Sequence, residues 1–371
     1  MRIAKLELFH VRPRWLFLKM HTDEGLVGWG EPIVEGRTRT VETAVRELES
    51  YLIGQDPRRI EHHWQAMYRG TFYRGGPVLV SAISGVEQAM WDIFGKSVGL
   101  PVYRLLGGPT RDRVRVYAHC RGATPEEAAE AARARVQEGF TALKTGFAGP
   151  VRLVDTAAFI GRCVGQIAAM REAVGDEIDI AIDFHGRFAP ATAIRVIKEL
   201  EPFRPMFVEE PCLPENVDTM VTIARSTTIP IATGERLFTR WGFREVIERQ
   251  AAVIYQPDLS HAGGILECRK IAAMAETYYA GIAPHCPLGP IALAAGLQLD
   301  AAIPNFVCQE QVNLGEGYLK QPFVVRDGYV DLPTAPGLGI EVDEEALKDK
   351  LYDGSWDTPR LYHEDGSVAD W

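Results

Sequence analysis

Residues 178–235 decide the fold, and they read IDIAIDFHGRFAPATAIRVIKELEPFRPMFVEEPCLPENVDTMVTIARSTTIPIATGE. Three short runs rich in β-branched and aromatic residues, at 178–183, 206–209 and 231–233, are separated by two longer segments of helical periodicity. A carboxylate ends or closely follows each run. This order predicts parallel strands that are joined by helices.

The same alternation extends in both directions along the chain. Its rhythm, over roughly 200 residues, predicts an α/β fold of the (β/α)7β TIM-barrel type. A doubly wound open sheet has the same rhythm, and periodicity alone does not separate the two. We predict strands at 114–119, 142–145, 178–183, 206–209, 231–233, 253–256, 281–284 and 306–309, and helices that begin near Pro125, Leu153, Ala189, Val217, Arg240, Gly264 and Pro290.

The residues on either side of the barrel form a second unit. Short apolar runs at 2–10, 15–22 and 26–31 precede helical patterns at 38–52, 58–68 and 81–99, which is the order of a small α+β unit. Turn signals replace the βα rhythm after residue 311. We therefore predict an α+β capping domain at 1–110, a barrel at 111–311 and a C-terminal segment at 312–371 that returns to complete the cap.

Composition excludes several classes of protein. The 371 residues include 40 Lys and Arg against 50 Asp and Glu, a formal net charge of −10, and an acidic chain of this kind is not expected to bind nucleic acid. The six cysteines form no C-x-x-C pair, which excludes a zinc ribbon and a thioredoxin motif. The absence of a signal-peptide core and of a membrane span predicts a cytoplasmic protein with no membrane partner.

Three carboxylates mark the mouth of the predicted barrel. Catalytic groups lie at the carboxyl ends of the strands of such barrels. Asp183, Glu209 and Glu235 stand at three consecutive strand ends, 26 positions apart in each case. Carboxylates that converge in this way need a cation, and their oxygens suit Mg²⁺ first and Mn²⁺ second. We expect one such ion per subunit.

Histidines stand at the same edge of the predicted sheet. His185 follows Asp183 by two positions, so both side chains point to one side if the strand continues. Asp258 and His285 end neighbouring strands, and a carboxylate beside an imidazole makes a general base. His261 is a rival partner for Asp258 that the spacing does not exclude. Another carboxylate, Glu310, follows the eighth predicted strand.

These residues resemble a known family. The order Asp, Glu, Glu on strands three to five, together with the cap, resembles the enolase superfamily, and the strings SGVEQAMWDI at 84–93 and LLGG at 105–108 support the resemblance. The pair Asp258 and His285 is similar to that of the mandelate racemase subgroup. The muconate cycloisomerase subgroup has a lysine pair on strands two and six, whereas strand six here ends in Asp258.

Longer strings are similar to the sugar-acid dehydratases of this subgroup, over nearly the whole chain. They are PRW at 13–15, DFHGR at 183–187, QPDLSHAGG at 256–264 and APHCPLGP at 283–290. The resemblance implies that Mg²⁺ on Asp183, Glu209 and Glu235 binds the carboxylate of a sugar acid, with D-galactonate as the first candidate, and stabilises the enediolate. It also implies a homo-oligomer, for which an octamer is one candidate assembly.

The resemblance also assigns the proton transfers. His285, tuned by Asp258, would remove the C2 proton, and a protonated Glu310 would donate a hydrogen bond to the enediolate. His185, as imidazolium, would protonate the departing 3-hydroxyl. The enol product would then tautomerise to a 2-keto-3-deoxy acid.

One position departs from the family pattern. Racemases of the subgroup carry Lys-x-Lys on the second strand and galactonate-type dehydratases usually Lys-x-Asn, whereas this chain reads KTG at 144–146. Lys144 is expected to touch the substrate carboxylate. Gly146 argues against a two-base racemase or epimerase and leaves another aldonate or an aldarate open as substrate. The expected contacts to the distal hydroxyls come from the cap, from Arg14, Trp15, Glu35, Tyr73 and Arg74.

Two alternatives remain at this point. One is a racemase or epimerase of the same subgroup. The other is a barrel that binds metal and ligand without catalysing a reaction. The presence of candidate metal ligands, base and acid in one chain favours an enzyme.

Overall fold

The computed structural model describes all 371 residues, and its first unit is a three-stranded antiparallel sheet covered by helices. The third helix starts at Pro77 rather than at Ser81, because proline fits the first turn of a helix, where its missing N–H is not needed. The elements of this unit are β1 (Ile3–Val11), β2 (Trp15–Thr22), β3 (Val27–Gly30), α1 (Thr38–Leu52), α2 (Ile60–Arg69), α3 (Pro77–Val98) and α4 (Val102–Leu105).

Eight parallel strands alternate with seven helices in the second unit. The strands are β4 (Arg113–His119), β5 (Ala142–Gly146), β6 (Asp179–Asp183), β7 (Phe207–Glu209), β8 (Ile231–Thr233), β9 (Ile254–Tyr255), β10 (Gly281–Ile282) and β11 (Gln309–Glu310). The helices are α5 (Pro125–Gln137), α6 (Ala157–Val174), α7 (Pro190–Leu200), α8 (Val217–Ala224), α9 (Thr239–Glu248), α10 (Gly264–Glu276) and α11 (Pro290–Ala302). No helix of the chain combines the length and hydropathy of a transmembrane span.

The strands close into a barrel. β11 pairs in parallel with β4, where Gln309 lies opposite Val116, and Phe306 forms a parallel bridge to Ile282 of β10. The last strand segment is therefore bonded to both the first and the seventh strand, which closes the ring of eight parallel strands. This closure confirms the predicted (β/α)7β barrel and excludes the open doubly wound sheet. The eighth strand is predicted to start at residue 306, but it starts at Gln309. Residues 304–307 form only the isolated bridge between Phe306 and Ile282.

The inside of the barrel is a packed core. Each of the eight strands, or a residue adjoining it, contributes one buried side chain to a common layer. Such a layer fills the interior of small parallel barrels, so chemistry is confined to the mouth. The members are Tyr117, Ala142, Ala181, Phe207, Ala232, Ile254, Ala283 and Cys308.

Buried carboxylates join the cap to the barrel. Glu87 of α3 accepts hydrogen bonds from the backbone N–H groups of Ile265 and Leu266 (2.8 and 2.9 Å), in the first turn of α10. Glu31 accepts hydrogen bonds from the backbone N–H groups of Gly289 and of a residue in the first turn of α11. Carboxylates satisfy the free N–H groups of helix N-termini and interact favourably with their dipoles. Because these helices begin just after the carboxyl ends of the strands, the cap is held at the mouth of the barrel.

The C-terminal segment completes the cap, as predicted, and also reaches the barrel. Arg12 is bonded through its backbone to both Tyr318 and Lys350. Farther along the C-terminal segment, Glu364 pairs with Arg152 of the barrel at 3.0 Å. The elements of this segment are β12 (Val325–Arg326), β13 (Tyr329–Asp331, antiparallel to β4), α12 (Glu344–Lys348), β14 (Leu361–Tyr362) and β15 (Val368–Ala369). The domain boundaries at residues 110 and 311 stay a prediction.

Candidate active site

Three carboxylates from consecutive strands converge at the mouth of the barrel. Asp183 and Glu209 end β6 and β7 and are direct register partners, and Glu235 follows β8. One carboxylate oxygen of each lies within 4.8 Å of the other two. Glu209 is buried, yet its Oε2 has no hydrogen-bond partner. Leaving a buried oxygen unpaired is costly, so the arrangement fits a hard divalent cation, which prefers oxygen ligands of this kind.

Lys144 lies between the carboxylates. Its Nζ is 2.6 Å from Glu209 Oε1, 3.2 Å from Glu310 Oε1 and 3.4 Å from Asp183 Oδ2. Burial alone would lower the pKa of Lys144, but Glu209 and Glu310 hold it well above its ordinary value, so the ammonium stays charged. Burial and the charge of Asp183 raise the pKa of Glu209 well above its ordinary value, although Lys144 opposes them. One ammonium does not neutralise this many carboxylates, and the centre remains attractive to cations.

The structure brings His285 and Asp258 together. His285 Nδ1 is 2.8 Å from Asp258 Oδ2, and the opposite ring nitrogen, Nε2, is 3.1 Å from Glu235 Oε2. The rival histidine lies farther away, since His261 Nε2 is 3.7 Å from Asp258 and its Nδ1 faces Ser81 Oγ at 3.0 Å. Asp258 therefore orients the imidazole of His285 toward the carboxylates.

The carboxylates control the charge of His285. Burial would lower its pKa, but Glu310, Glu235 and Asp258 together raise it well above the ordinary value. In Glu235, burial is outweighed by His285, which pulls the carboxyl pKa well below its usual range. A general base must be neutral before it accepts a proton, so His285 becomes a base only when the charge of these carboxylates is offset.

The expected protonation of Glu310 does not fit its surroundings. Burial would raise the pKa of Glu310, but Lys144, His285 and His119 pull it well below its ordinary value. Its Oε1 lies 2.6 Å from His119 Nε2, and its Oε2 accepts a hydrogen bond from the Cys286 backbone N–H at 2.9 Å. Glu310 is thus an ionised acceptor, and the groups that can donate a hydrogen bond on this side of the site are Lys144 and His119.

His185 has an unusual backbone. Its φ of 58° lies in the left-handed region, which is uncommon for non-glycine residues. Its N–H donates to Asp183 Oδ1 at 2.7 Å, and its carbonyl accepts from Arg236 at 2.5 Å. Arg236 also lies 2.9 Å from Glu210 Oε2. These bonds tie the backbone of His185 to the same carboxylate cluster. Because β6 ends at Asp183, the strand does not continue to His185, and the side-chain alternation expected from their spacing does not apply there.

Arg14 reaches the mouth of the barrel from the cap. Its guanidinium donates to the carbonyl oxygen of Pro287 at 3.2 Å and pairs with Glu35. Since Pro287 lies two positions after His285, Arg14 and Glu35 lie beside the loop that carries the candidate base.

The other cap residues that were expected to contact the substrate lie away from the carboxylate cluster. Trp15 is 3% exposed and packs edge-on against Tyr318, with ring centroids 4.9 Å apart, so it stabilises the cap from within and offers little surface to a substrate. Tyr73 is 82% exposed, and its ring contacts the neighbouring Phe72. Arg74 is exposed in the same loop. Neither Tyr73 nor Arg74 contacts the site in this conformation.

Gly146 lies directly beside the first carboxylate. A Cβ at this position would lie 3.0 Å from the carbonyl oxygen of Asp183. A side chain there would push against the strand end that carries Asp183. The KTG sequence is thus compatible with this local backbone, whereas Lys-x-Asn would require a small shift.

Sequence reasoning missed two residues of the site. His119 ends the first barrel strand, and its position at a strand end is the same signal that identified the other candidate site residues. Arg236 follows Glu235 directly, but sequence gives no indication that its side chain turns back to Glu210 and to the His185 carbonyl.

Comparison with known proteins identifies the family of the chain. The model for the mandelate racemase / muconate lactonizing enzyme N-terminal domain matches residues 11–107, and the enolase C-terminal domain-like model matches residues 126–346. Curated relatives include D-galactonate dehydratases from Ralstonia pickettii (48% identical) and Cronobacter sakazakii (49% identical). Each alignment covers 100% of both chains.

Solved structures are similar over almost the whole chain. A mandelate racemase/muconate lactonizing enzyme from Sulfitobacter sp. is 37% identical, with a TM-score of 0.91, and the match covers 96% of this chain and 97% of that one. An enolase from Agrobacterium radiobacter, provisionally named a galactarate dehydratase and solved with sodium and L-malate, is 34% identical, with a TM-score of 0.91 and full coverage of both chains.

Proposed function

The chain belongs to the mandelate racemase / muconate lactonizing enzyme family of the enolase superfamily, and from this premise we propose that it is a Mg²⁺-dependent hydro-lyase that dehydrates D-galactonate. The product is a 2-keto-3-deoxy acid. One observation carries the proposal: a triad of carboxylates lies between two histidines, of which one is oriented by an aspartate.

Asp183, Glu209 and Glu235 hold the cation, one per subunit, with Mn²⁺ as a second candidate. When bound, the cation polarises the substrate carboxylate, makes the C2 proton more acidic and offsets the charge that keeps His285 protonated. Lys144 adds a positive charge beside the substrate carboxylate. The unpaired Glu209 oxygen supports this assignment.

His285 is the general base that removes the C2 proton. Asp258 fixes the tautomer by its contact to Nδ1 and leaves Nε2 directed at the substrate side. Lys144 and His119 stabilise the negative charge that develops on the substrate carboxylate, and the ionised Glu310 holds both of them in place. This differs from a direct hydrogen bond donated by Glu310.

His185 is the general acid that protonates the departing 3-hydroxyl. Hydroxide is a poor leaving group, and a positioned imidazolium removes that barrier. Arg236 and Asp183 fix the backbone of His185, and this fixes the position from which its side chain extends. Arg14 contacts the distal hydroxyls, and Tyr73 contributes only if its loop closes.

A racemase is the second candidate within the family. It needs a base on each face of C2, and the position that supplies the second base is Gly146, which has no side chain. A catalytically silent barrel is disfavoured because base, acid and metal ligands are all present in one mouth.

The proposal is tested with purified protein, Mg²⁺ and a panel of mono- and diacid sugars. Release of a keto acid, detected with semicarbazide, is expected from D-galactonate and is lost with a chelator. Deuterium entering C2 in D₂O without loss of water would identify a racemase or epimerase instead. Metal binding without turnover or exchange would identify a silent barrel, and a keto acid from a different aldonate or an aldarate would correct the substrate.

Assembly and location are part of the same proposal. By resemblance to the family, the chain forms a homo-oligomer in the cytoplasm, for which an octamer is one candidate assembly. Light scattering of the purified protein distinguishes an octamer from smaller assemblies.

A further inference from the structure

Trp371 lies against the ring of His185. The two ring centroids are 5.5 Å apart, and the planes are nearly perpendicular at 77°. Edge-to-face pairs of aromatic rings are a favoured arrangement. A residue almost two hundred positions away in sequence therefore contacts the candidate general acid.

The His185 ring has few other constraints. Its backbone is fixed by Asp183 and Arg236, but no side chain or backbone group forms a hydrogen bond with either ring nitrogen. His285 differs, since Asp258 and Glu235 contact both of its ring nitrogens. The rotation of the His185 ring is thus set by packing, and its aromatic neighbour is Trp371.

The segment that carries Trp371 is anchored on the barrel. Residues 361–369 form the β14–β15 hairpin, and Glu364 pairs with Arg152 in the loop after β5. Ala369 is buried, two positions before Trp371. This anchoring places the segment beside the loops that follow β5 and β6, on the side of the mouth where His185 lies.

A second line of contacts links Trp371 to the cap. Its ring lies 6.1 Å from that of Trp356, and the Arg14 guanidinium lies 5.1 Å above the Trp356 ring. Arg14 in turn donates to the Pro287 carbonyl beside the candidate base. The chain of contacts from His185 through two tryptophans to Arg14 therefore spans the mouth between the two candidate proton-transfer groups.

We infer that Trp371 is a positioning residue for His185, which holds the imidazole over the 3-hydroxyl of the substrate. The inference rests on the proposed dehydration. A group that positions the acid affects the loss of hydroxide, whereas abstraction of the C2 proton depends on His285 on the opposite side of the site. Loss of the Trp371 ring should therefore separate the two steps.

The kinetic test compares Trp371→Ala, Trp371→Phe and Val368→Ala with the unmodified protein, using Mg²⁺ and D-galactonate in D₂O. General acids contribute about 10² to 10⁴ in rate, so a misplaced acid should lower kcat for keto acid release by about tenfold to 100-fold. Deuterium should still enter C2 of the remaining substrate in Trp371→Ala, and Trp371→Phe should recover most of the dehydration. Val368→Ala, an exposed position in the same hairpin, should behave as the unmodified protein does.

Two kinetic outcomes would overturn the inference. One is an unchanged kcat in Trp371→Ala. The other is an equal loss of dehydration and exchange that phenylalanine does not restore, which indicates that the hairpin has only a structural role.

A second measurement requires no turnover. The protein is labelled with 5-fluorotryptophan, and the ¹⁹F resonance of Trp371 is assigned by its absence in Trp371→Phe. His185→Gln should shift this resonance and leave that of Trp29, buried in the cap, unchanged. An unmoved Trp371 signal would overturn the contact. If no sugar acid is dehydrated but the signal moves, the proposed function fails while the contact between Trp371 and His185 stands.

Discussion

Asp258 Oδ2 lies 2.8 Å from His285 Nδ1, and Glu235 Oε2 lies 3.1 Å from the opposite nitrogen of the same ring. One carboxylate thus orients the imidazole, and the other belongs to the candidate metal site. The candidate base and the candidate metal site are therefore coupled through one histidine.

Asp258→Asn should lower kcat for dehydration by about 100-fold or more. The amide does not stabilise the imidazolium and favours no single tautomer, so His285 becomes a poorer base. Keto acid release measures the effect, while Mg²⁺ binding by calorimetry should change little. Asp349→Asn, at the exposed C-cap of α12, is the matched control. Wild-type kcat in Asp258→Asn would show that Asp258 is not coupled to the base.

His185→Gln should abolish dehydration and retain exchange at C2. The proton of C2 is removed by His285, whereas the departing hydroxyl loses its acid. Mass spectrometry of substrate recovered from D₂O reports the exchange. His285→Gln should abolish both processes. If His185→Gln loses exchange as well, His185 takes part in the first step and the assignment of acid and base is wrong.

Glu209→Gln should weaken Mg²⁺ binding by at least about tenfold. The variant replaces the buried carboxylate whose second oxygen has no partner in the protein. Isothermal titration calorimetry measures the affinity, and dialysis against a chelator should remove activity that added Mg²⁺ restores. Glu215→Gln, exposed in the loop after β7, serves as control. Equal affinities in both variants would argue that the triad is not the metal site.

Gly146→Ala should reduce kcat/KM for D-galactonate by about threefold to tenfold, because a misplacement of about 1 Å can cost about 100-fold and the shift needed here is smaller. The new Cβ would lie 3.0 Å from the Asp183 carbonyl oxygen and displace that strand end. Gly161→Ala on α6, where a Cβ meets nothing within 4 Å, is the control. A variant with unchanged kcat/KM would indicate that the strand end yields without effect on the metal site.

Unfolding stability should fall as pH rises from about 5 to about 8. Burial raises the pKa of Glu87 from 4.5 to about 7, despite the N–H groups that donate to it. The folded protein therefore holds a proton that the unfolded chain releases at lower pH. The resulting stabilisation, roughly 3 kcal/mol, is complete below pH 4.5 and disappears as pH passes 7.

Urea denaturation at several pH values, with Glu87→Gln and Glu47→Gln, checks this dependence. Glu87→Gln does not titrate and should show a flatter profile, whereas Glu47, exposed on α1, should have no effect. A profile that stays as steep in Glu87→Gln would assign the pH dependence to other carboxylates, of which Glu31, with a pKa raised to about 8, is the first to examine.

The rhythm of the sequence was enough to predict the alternating strands and helices and the carboxylates at one edge of the sheet. Side chains at the carboxyl ends of parallel strands share one edge by geometry, so Asp183, Glu209 and Glu235 could be grouped from spacing alone. Asp258 and His285 followed from the same rule. The family assignment rested on longer strings and agrees with the family models.

Only the tertiary structure decided the remaining features. Barrel closure depends on hydrogen bonds between the first and last strands, which no local pattern contains. The charge of Glu310 depends on the distances to Lys144, His285 and His119, and these come from separate strands. The burial of Trp15 and the contact between Trp371 and His185 likewise depend on how distant segments pack. Local sequence sets strand ends and their side-chain types, whereas protonation states and long-range contacts arise only when those ends are brought together.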